Sequence, residues 1–194
     1  MTRPLDGRHF QAAWALDAPI TWLDTAPRPL SIEDRIDLDQ GLLQLEIRND
    51  GADEAVFHLY DGRAASPSAQ RYRLKAGNSL ALARPADLYN LHLIAPDGLY
   101  RRFAGGLETD GSTSAKLIPA RRGLGLILGL TSPQTGWFCL VDESGRRTAR
   151  RSRVLAGERP HLRIPVQADG WYDISVSRVG GAFRRRFAGR LQTP

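Results

Sequence analysis

The chain has 194 residues, with one cysteine, one methionine, 27 basic and 21 acidic side chains and 42% hydrophobic residues. That length fits one large domain or two small ones, and the composition excludes wholesale disorder. No run approaches the ~18–20 apolar residues of a membrane-spanning helix, and a single cysteine excludes an internal disulfide framework or a cysteine-rich metal knuckle.

The net charge of +6 is unevenly placed. Residues 1–110 hold 12 basic against 16 acidic side chains, whereas residues 111–194 hold 15 against 5. Of the basic residues 25 are arginine, and only Lys75 and Lys116 are lysine. A biased genome explains that ratio but not the split between halves. Arginine forks also bind carboxylates and phosphates bidentately, which lysine does not.

Residues 1–40 read as an irregular N-terminal arm or linker with no apolar core of a signal peptide. Within it Phe10, Trp14, Ile20 and Trp22 are expected in a strand or packing arm, and Ser31 to Asp37 in a short helical turn. Leu43 to Arg48 then alternates strictly, as a half-buried strand does, and Asn49-Asp50-Gly51 turns the chain. Further strands are expected at Val56–Tyr60, Arg71–Leu74, Ser79–Ala83, Tyr89–Ala95 and Leu99–Leu107. Strands at roughly 8–12-residue spacing, with turn signals between them, predict a sandwich or barrel. The apolar run Leu124–Leu130 reads as a buried strand. Its glycines are no dinucleotide loop, because proline and glycine follow them where a helix is required.

The chain repeats itself. Tyr89-Asn90-Leu91-His92-Leu93 returns as Tyr172-Asp173-Ile174-Ser175-Val176, 83 residues later. Arg101-Arg102-Phe103-Ala104-Gly105 returns as Arg185-Arg186-Phe187-Ala188-Gly189, 84 residues later. Phe57 to Asp61 and Ala76-Gly77 match Phe138 to Asp142 and Ala156-Gly157 in the same order. A period this long exceeds the solenoid range of ~20–50 residues, so each copy is expected to be a domain with its own core. The division predicts repeat 1 over 41–110 and repeat 2 over 111–194, joined by a polar linker within Thr109–Pro119. Two tandem antiparallel β-sandwiches are the expected fold, with the Phe-Ala-Gly motifs equivalent.

These blocks carry a family resemblance. Asn49-Asp50-Gly51, Ala55 to Asp61, Tyr72 to Leu80 and Tyr89 through Gly105 resemble the C-terminal module of bacterial phosphocholine-specific phospholipases C. In the second copy Gly170 to Asp173 and Phe183 to Gly189 carry the likeness. Thr131-Ser132-Pro133 departs from the family's Asn-Thr-Gly turn, and Arg190 stands where a histidine often follows Phe-Ala-Gly. In that family two such modules follow a larger, exported catalytic domain that resembles metal-dependent phosphatases. The resemblance covers roughly residues 41–193 and includes no part of that domain. It implies a non-catalytic appendix without cofactor or metal.

The residues agree when read for chemistry. His9, His58, His92 and His161 lack metal-ligand spacing, and neither a Gly-x-Ser-x-Gly elbow nor a P-loop occurs. Asp142-Glu143, beside Ser144-Gly145, reads as a hairpin turn, with calcium binding as the alternative. Trp137, Trp171 and Tyr172 lie within strand patterns and are expected in the core. The arginine clusters remain. Arg146, Arg147, Arg150, Arg151 and Arg153 flank an expected hairpin and are the candidate binding residues. Arg101, Arg102, Phe103, Asp173, Arg185, Arg186 and Phe187 form the expected structural motif. In the last strand Arg184 and Arg186 share one face and Arg185 takes the other, so at least one needs a carboxylate, for which Asp173 is placed. Asp97 or Asp87 would serve Arg101 or Arg102 in the first copy.

Two readings of the arginines stay open: ion pairs with solvated edge charge, or a surface for anionic or phosphocholine lipid headgroups. The partner is then a lipid surface, or a phospholipase catalytic domain in the same or another chain. A free-standing adaptor, chaperone or inhibitor of a lipase is the second functional reading. Nucleic-acid binding rests on charge alone.

Overall fold

The computed structural model describes residues 30–66, 68–95, 98–120, 125–164, 166 and 168–191. The expected arm residues Phe10, Trp14, Ile20 and Trp22 lie outside them. The first copy comprises β1 (Leu30–Asp37), β2 (Leu42–Asn49), β3 (Ala55–Asp61), β4 (Gln70–Leu74), β5 (Ser79–Pro85), β6 (Tyr89–Ile94) and β7 (Tyr100–Gly105). A single helical turn, α1 (Leu107–Asp110), leads into the second copy. There follow β8 (Ser114–Pro119), β9 (Leu126–Thr131), β10 (Gly136–Asp142), β11 (Arg150–Val154), β12 (His161–Ile164), β13 (Trp171–Arg178) and β14 (Arg184–Arg190). No helix among the described residues is long and apolar enough to cross a membrane.

Alternation builds each sandwich. In β2, Leu43, Leu45 and Ile47 are fully buried, and in β9 Leu126, Leu128 and Leu130 are their counterparts. These strands sit at the centre of three-stranded sheets ordered β1-β2-β5 and β12-β9-β8. Each sheet covers four strands of a second layer, and each copy encloses its own core. Phe57, Leu93 and Phe103 anchor the first core; Phe138, Ile174 and Phe187 anchor the second. The copies reverse at equivalent turns. Gly77 and Gly157 sit at φ +72° and +77°, a region glycine enters without a Cβ penalty, and their N–H groups donate to Asn49 O and Ser132 O. Buried Asn49 donates to the carbonyls of Asp53 and Leu74 and accepts from Gly51 N–H. Its counterpart Ser132 donates to Gln134 O instead, so a hydroxyl does part of the amide's work in the departing turn.

The fold is all-β and antiparallel, two sandwiches in tandem, but the sheets are not separate. β7 pairs with β14, joining the four-stranded layers into one eight-stranded sheet ordered β11-β10-β13-β14-β7-β6-β3-β4. The expectation of sheets confined to each copy is thereby corrected. At the seam Arg102 lies opposite Arg186, its own counterpart in the repeat. The seam is self-complementary, as in a two-fold dimer, but lies within one chain. Each copy would otherwise expose the edge strand that ends in Phe-Ala-Gly, and pairing the two edges satisfies both rows of backbone donors and acceptors.

Two local expectations also change. Ser31–Asp37 is strand β1, not a helical turn, because Leu30, Ile32 and Ile36 alternate toward the core. Asp34 takes the inward position between them, and a carboxylate there hides the pattern in the sequence. Within the expected linker, Ser114–Pro119 is strand β8, whose Ala115 and Leu117 pack on the second core.

Candidate functional site

The repeated Arg-Arg-Phe-Ala-Gly motif builds the seam. Phe103 and Phe187 point into the two cores, so the arginine two positions before each also points inward. Arg185 is fully buried. Its Nε and Nη2 donate to Asp34 Oδ2 at 3.0 and 2.7 Å, and Nη2 also donates to Tyr89 Oη at 3.0 Å. Its Nη1 donates to the carbonyls of Ala104 and Arg184 at 2.7 and 2.9 Å. The rings of Phe183, Tyr89 and Phe103 surround the guanidinium at 4.6, 5.5 and 5.6 Å. Burial disfavours the cation, but Asp34 and the Tyr89 hydroxyl outweigh it and raise the Arg185 pKa above its ordinary value.

Arg101 repeats the geometry in the other direction. Its Nη1 donates to the carbonyls of Tyr100 and Ala188 at 2.9 and 2.8 Å, and Nη2 to Tyr172 Oη at 3.0 Å. Each copy thus sends one guanidinium across the seam to a tyrosine of the other. The glycine of each motif makes room for that tyrosine. Gly105 lies opposite Tyr89 and Gly189 opposite Tyr172. A Cβ on Gly105 would meet Tyr89 Oη at 2.6 Å; on Gly189 it would meet Tyr172 Oη at 3.0 Å. Gly105→Ala is therefore expected to cost about 1–3 kcal/mol by overpacking, and Gly189→Ala less. Urea unfolding of both variants checks the order, and equal losses would contradict it.

On the outer face of the eight-stranded sheet, like charges oppose each other where Arg102 meets Arg186. Each is held by a partner on the next strand. Arg186 Nε and Nη2 donate to the two oxygens of Asp173, both at 2.8 Å. Arg102 Nε donates to Asn90 Oδ1 at 2.9 Å. Asn90 occupies the place of Asp173, which corrects the expected pairing: Asp87 is exposed and Asp97 lies outside the described residues. Burial, with Glu143 and Asp142 adding, raises the Asp173 pKa against the pull of Arg186.

The hairpin arginines form two groups. All five are exposed. Arg146, Arg147 and Arg150 line a cleft of about 230 Å³ with Arg163, Trp171 and Asp142. Arg151 and Arg153 instead stand opposite Cys139 and Trp137 on β10. Trp137 is 52% exposed, not in the core as expected, because Phe138 takes the inward position beside it. Tyr172 is buried, and Trp171 is half-buried at the cleft. Asp142 Oδ1 accepts the N–H of Ser144 at 3.0 Å, the bond of a side-chain-closed turn. Among the described residues no three His, Cys, Asp or Glu side chains gather to hold a metal ion.

The model of the family described as "Bacterial phospholipase C, C-terminal domain" matches twice, over residues 30–106 and 126–190. The chain belongs to that family. The two matches fall on the two sandwiches, and the first begins at β1. No curated protein matches the chain. Among solved structures it is similar to a red sea bream transglutaminase, at 10% identity and a TM-score of 0.31. That match covers 88% of this chain and 32% of the transglutaminase, so the chain spans about a third of it. A structure of the receptor tyrosine kinase Torso matches at 7% identity and a TM-score of 0.25, covering 88% of this chain and 76% of that one.

Sequence reasoning missed Asp34, Tyr89, Tyr172 and Asn90 as partners of the motif arginines. A signal existed: Asp34 and Arg185 are each a lone charge at the inward position of an otherwise apolar alternation. Matching two such charges of opposite sign, 151 residues apart, would have paired them.

Proposed function

We propose that the chain is a non-catalytic tandem module of a phospholipase C-like protein that docks onto anionic or phosphocholine lipid surfaces through its second copy. The observation that carries this reading is the exposed β10–β11 hairpin: Trp137, 52% exposed, stands opposite Arg153 with Arg151 two positions along, while Arg146, Arg147 and Arg150 line the neighbouring cleft. An exposed tryptophan among arginines suits a lipid interface, where the ring enters the headgroup layer and the guanidinium groups meet phosphates. Each basic residue near an anionic leaflet contributes about 1 kcal/mol. Substituting Arg146, Arg147, Arg150, Arg151 and Arg153 by serine should weaken binding to phosphatidylserine vesicles by two or more orders of magnitude, at about 1.4 kcal/mol per tenfold. Screening over ~8–10 Å makes the same binding fade toward physiological salt. The melting temperature should barely move, since exposed charges contribute about 0–1 kcal/mol each. Co-sedimentation at low and physiological salt is the test. Binding indifferent to both salt and the substitutions removes the reading. The non-catalytic part is tested separately, by the absence of phosphocholine-ester turnover in the purified chain with divalent metals supplied.

A further inference from the structure

A cavity of about 550 Å³ lies where the two sandwiches meet, between β1 and β8, the facing edges of the two three-stranded sheets. Its size falls within the ~300–1,000 Å³ of small-molecule sites. Leu30, Ile32, Leu117, Leu126 and Leu191 supply apolar wall. Six charged side chains also line it: Glu33, Asp34, Asp50, Arg101, Lys116 and Arg190. Every acidic one is already neutralised. Asp34 is held by Arg185, Glu33 by Lys116, and Asp50 by Arg48 at 2.6 Å. Among the described residues Arg101 and Arg190 have no carboxylate, and both are cationic.

The repeat shows what Arg101 lacks. A guanidinium has five N–H donors. Arg185 gives its Nη1 to two carbonyls, one Nη2 hydrogen to a tyrosine, and the Nε/Nη2 edge to Asp34. Arg101 gives its Nη1 to two carbonyls and one Nη2 hydrogen to a tyrosine, which leaves the Nε/Nη2 edge without an acceptor among the described residues. Position 34 has a counterpart in the second copy. Asp34 pairs with Leu45 and Leu117 with Leu128, and these two leucines occupy the same place in their sheets. Leucine therefore stands where the carboxylate should be, and it borders the same cavity. An arginine edge beside an apolar wall is an incomplete ion pair with room for a ligand to complete it.

We propose that this cavity binds a single-chain amphiphile with a terminal oxyanion, carboxylate or phosphate. The anion takes the Nε/Nη2 edge of Arg101, as Asp34 takes that of Arg185, and the aliphatic chain lies along Leu30, Leu117, Leu126 and Leu191. Half-burial strengthens the charged hydrogen bonds, and the Tyr172 and Phe187 rings at 5.9 and 5.5 Å fix the guanidinium in place. The site is separate from the hairpin arginines, so its fate does not depend on vesicle docking.

Calorimetric titration of the full chain with octyl phosphate and with octanoate, both below micelle formation, tests the proposal. At least one should bind, at least about tenfold more tightly than inorganic phosphate or octyltrimethylammonium, since loss of the chain or of the charge-assisted bonds each costs a tenfold step or more. Leu117→Asp installs the missing carboxylate and should abolish binding while holding or raising the melting temperature. Arg101→Lys keeps the charge but loses the fork, and should weaken binding by about tenfold or more. The serine variant of the hairpin should bind as the parent does. The proposal is overturned if neither amphiphile binds, if inorganic phosphate or the alkylammonium binds as tightly, or if both the Leu117 and Arg101 variants bind unchanged.

Discussion

Asp34→Ala is expected to lower the unfolding free energy by about 3–5 kcal/mol, the cost of leaving a buried charge without its partner. The Arg185 side chain is fully buried and that of Asp34 only 6% exposed, so water cannot replace the lost carboxylate. The remaining bonds of Arg185, to Tyr89 and two carbonyls, leave its Nε/Nη2 edge without an acceptor and its charge without a partner. For a chain of this size the melting temperature should fall by roughly 6–20 °C, at about 2–4 °C per kcal/mol. Adding Arg185→Met to Asp34→Ala should recover part of the loss, because the double variant buries no unpaired ion. Asp34 belongs to the first copy and Arg185 to the second, so a calorimetric scan should show both cores melting earlier. A single-variant loss below about 1 kcal/mol, the value of an exposed ion pair, would show that the buried pair does not hold the seam.

Acidification should destabilise the protein through His92. This residue is 3% exposed on β6, and its Nδ1 lies 2.7 Å from Tyr100 Oη. Burial, with Arg102 and Arg186 nearby, pushes its pKa down to about 3, while burial pushes the Tyr100 hydroxyl up to about 12. The pair therefore stays neutral, a hydrogen bond between an uncharged ring and an uncharged hydroxyl. An unfolded histidine takes up its proton near about 6.5, whereas the folded one resists until about 3. Between these values the unfolded state binds more protons, so its stabilisation grows as pH falls. The stability His92 contributes is complete above pH ~6.5 and declines below it by up to about 1.4 kcal/mol per pH unit. At pH 5 the loss should approach about 2 kcal/mol relative to neutral pH. Urea titrations at several pH values on the parent and on His92→Gln measure it. An unchanged acid slope in the variant would assign the effect to other groups.

The seam explains why the repeated motif has its composition. Phenylalanine fills each core, glycine clears space for a tyrosine hydroxyl, and the first arginine crosses to the other copy. These roles exist only when two copies meet edge to edge. A single copy would expose β7 or β14 and leave a guanidinium at its edge, where the other copy's backbone carbonyl and tyrosine hydroxyl now receive it.

Strands β2 to β7, the turns at Asn49 and Gly77, the duplication and the equivalence of the two Phe-Ala-Gly motifs were legible in the sequence. Each is local, written in residues a few positions apart by alternation or by a turn that one residue type favours. The joining of β7 to β14 was decided only by tertiary structure. Edge pairing uses backbone N–H and C=O groups that nearly every residue carries, so no side chain announces it. The same holds for β1, whose alternation is broken by Asp34, and for the hairpin arginines, which β-strand geometry sends to different faces. The contrast between Arg185 with its carboxylate and Arg101 without one also emerged only in three dimensions. Their crossed partners lie in opposite copies, and no sequence pattern aligns Asp34 with Leu117 until the sheet registers do.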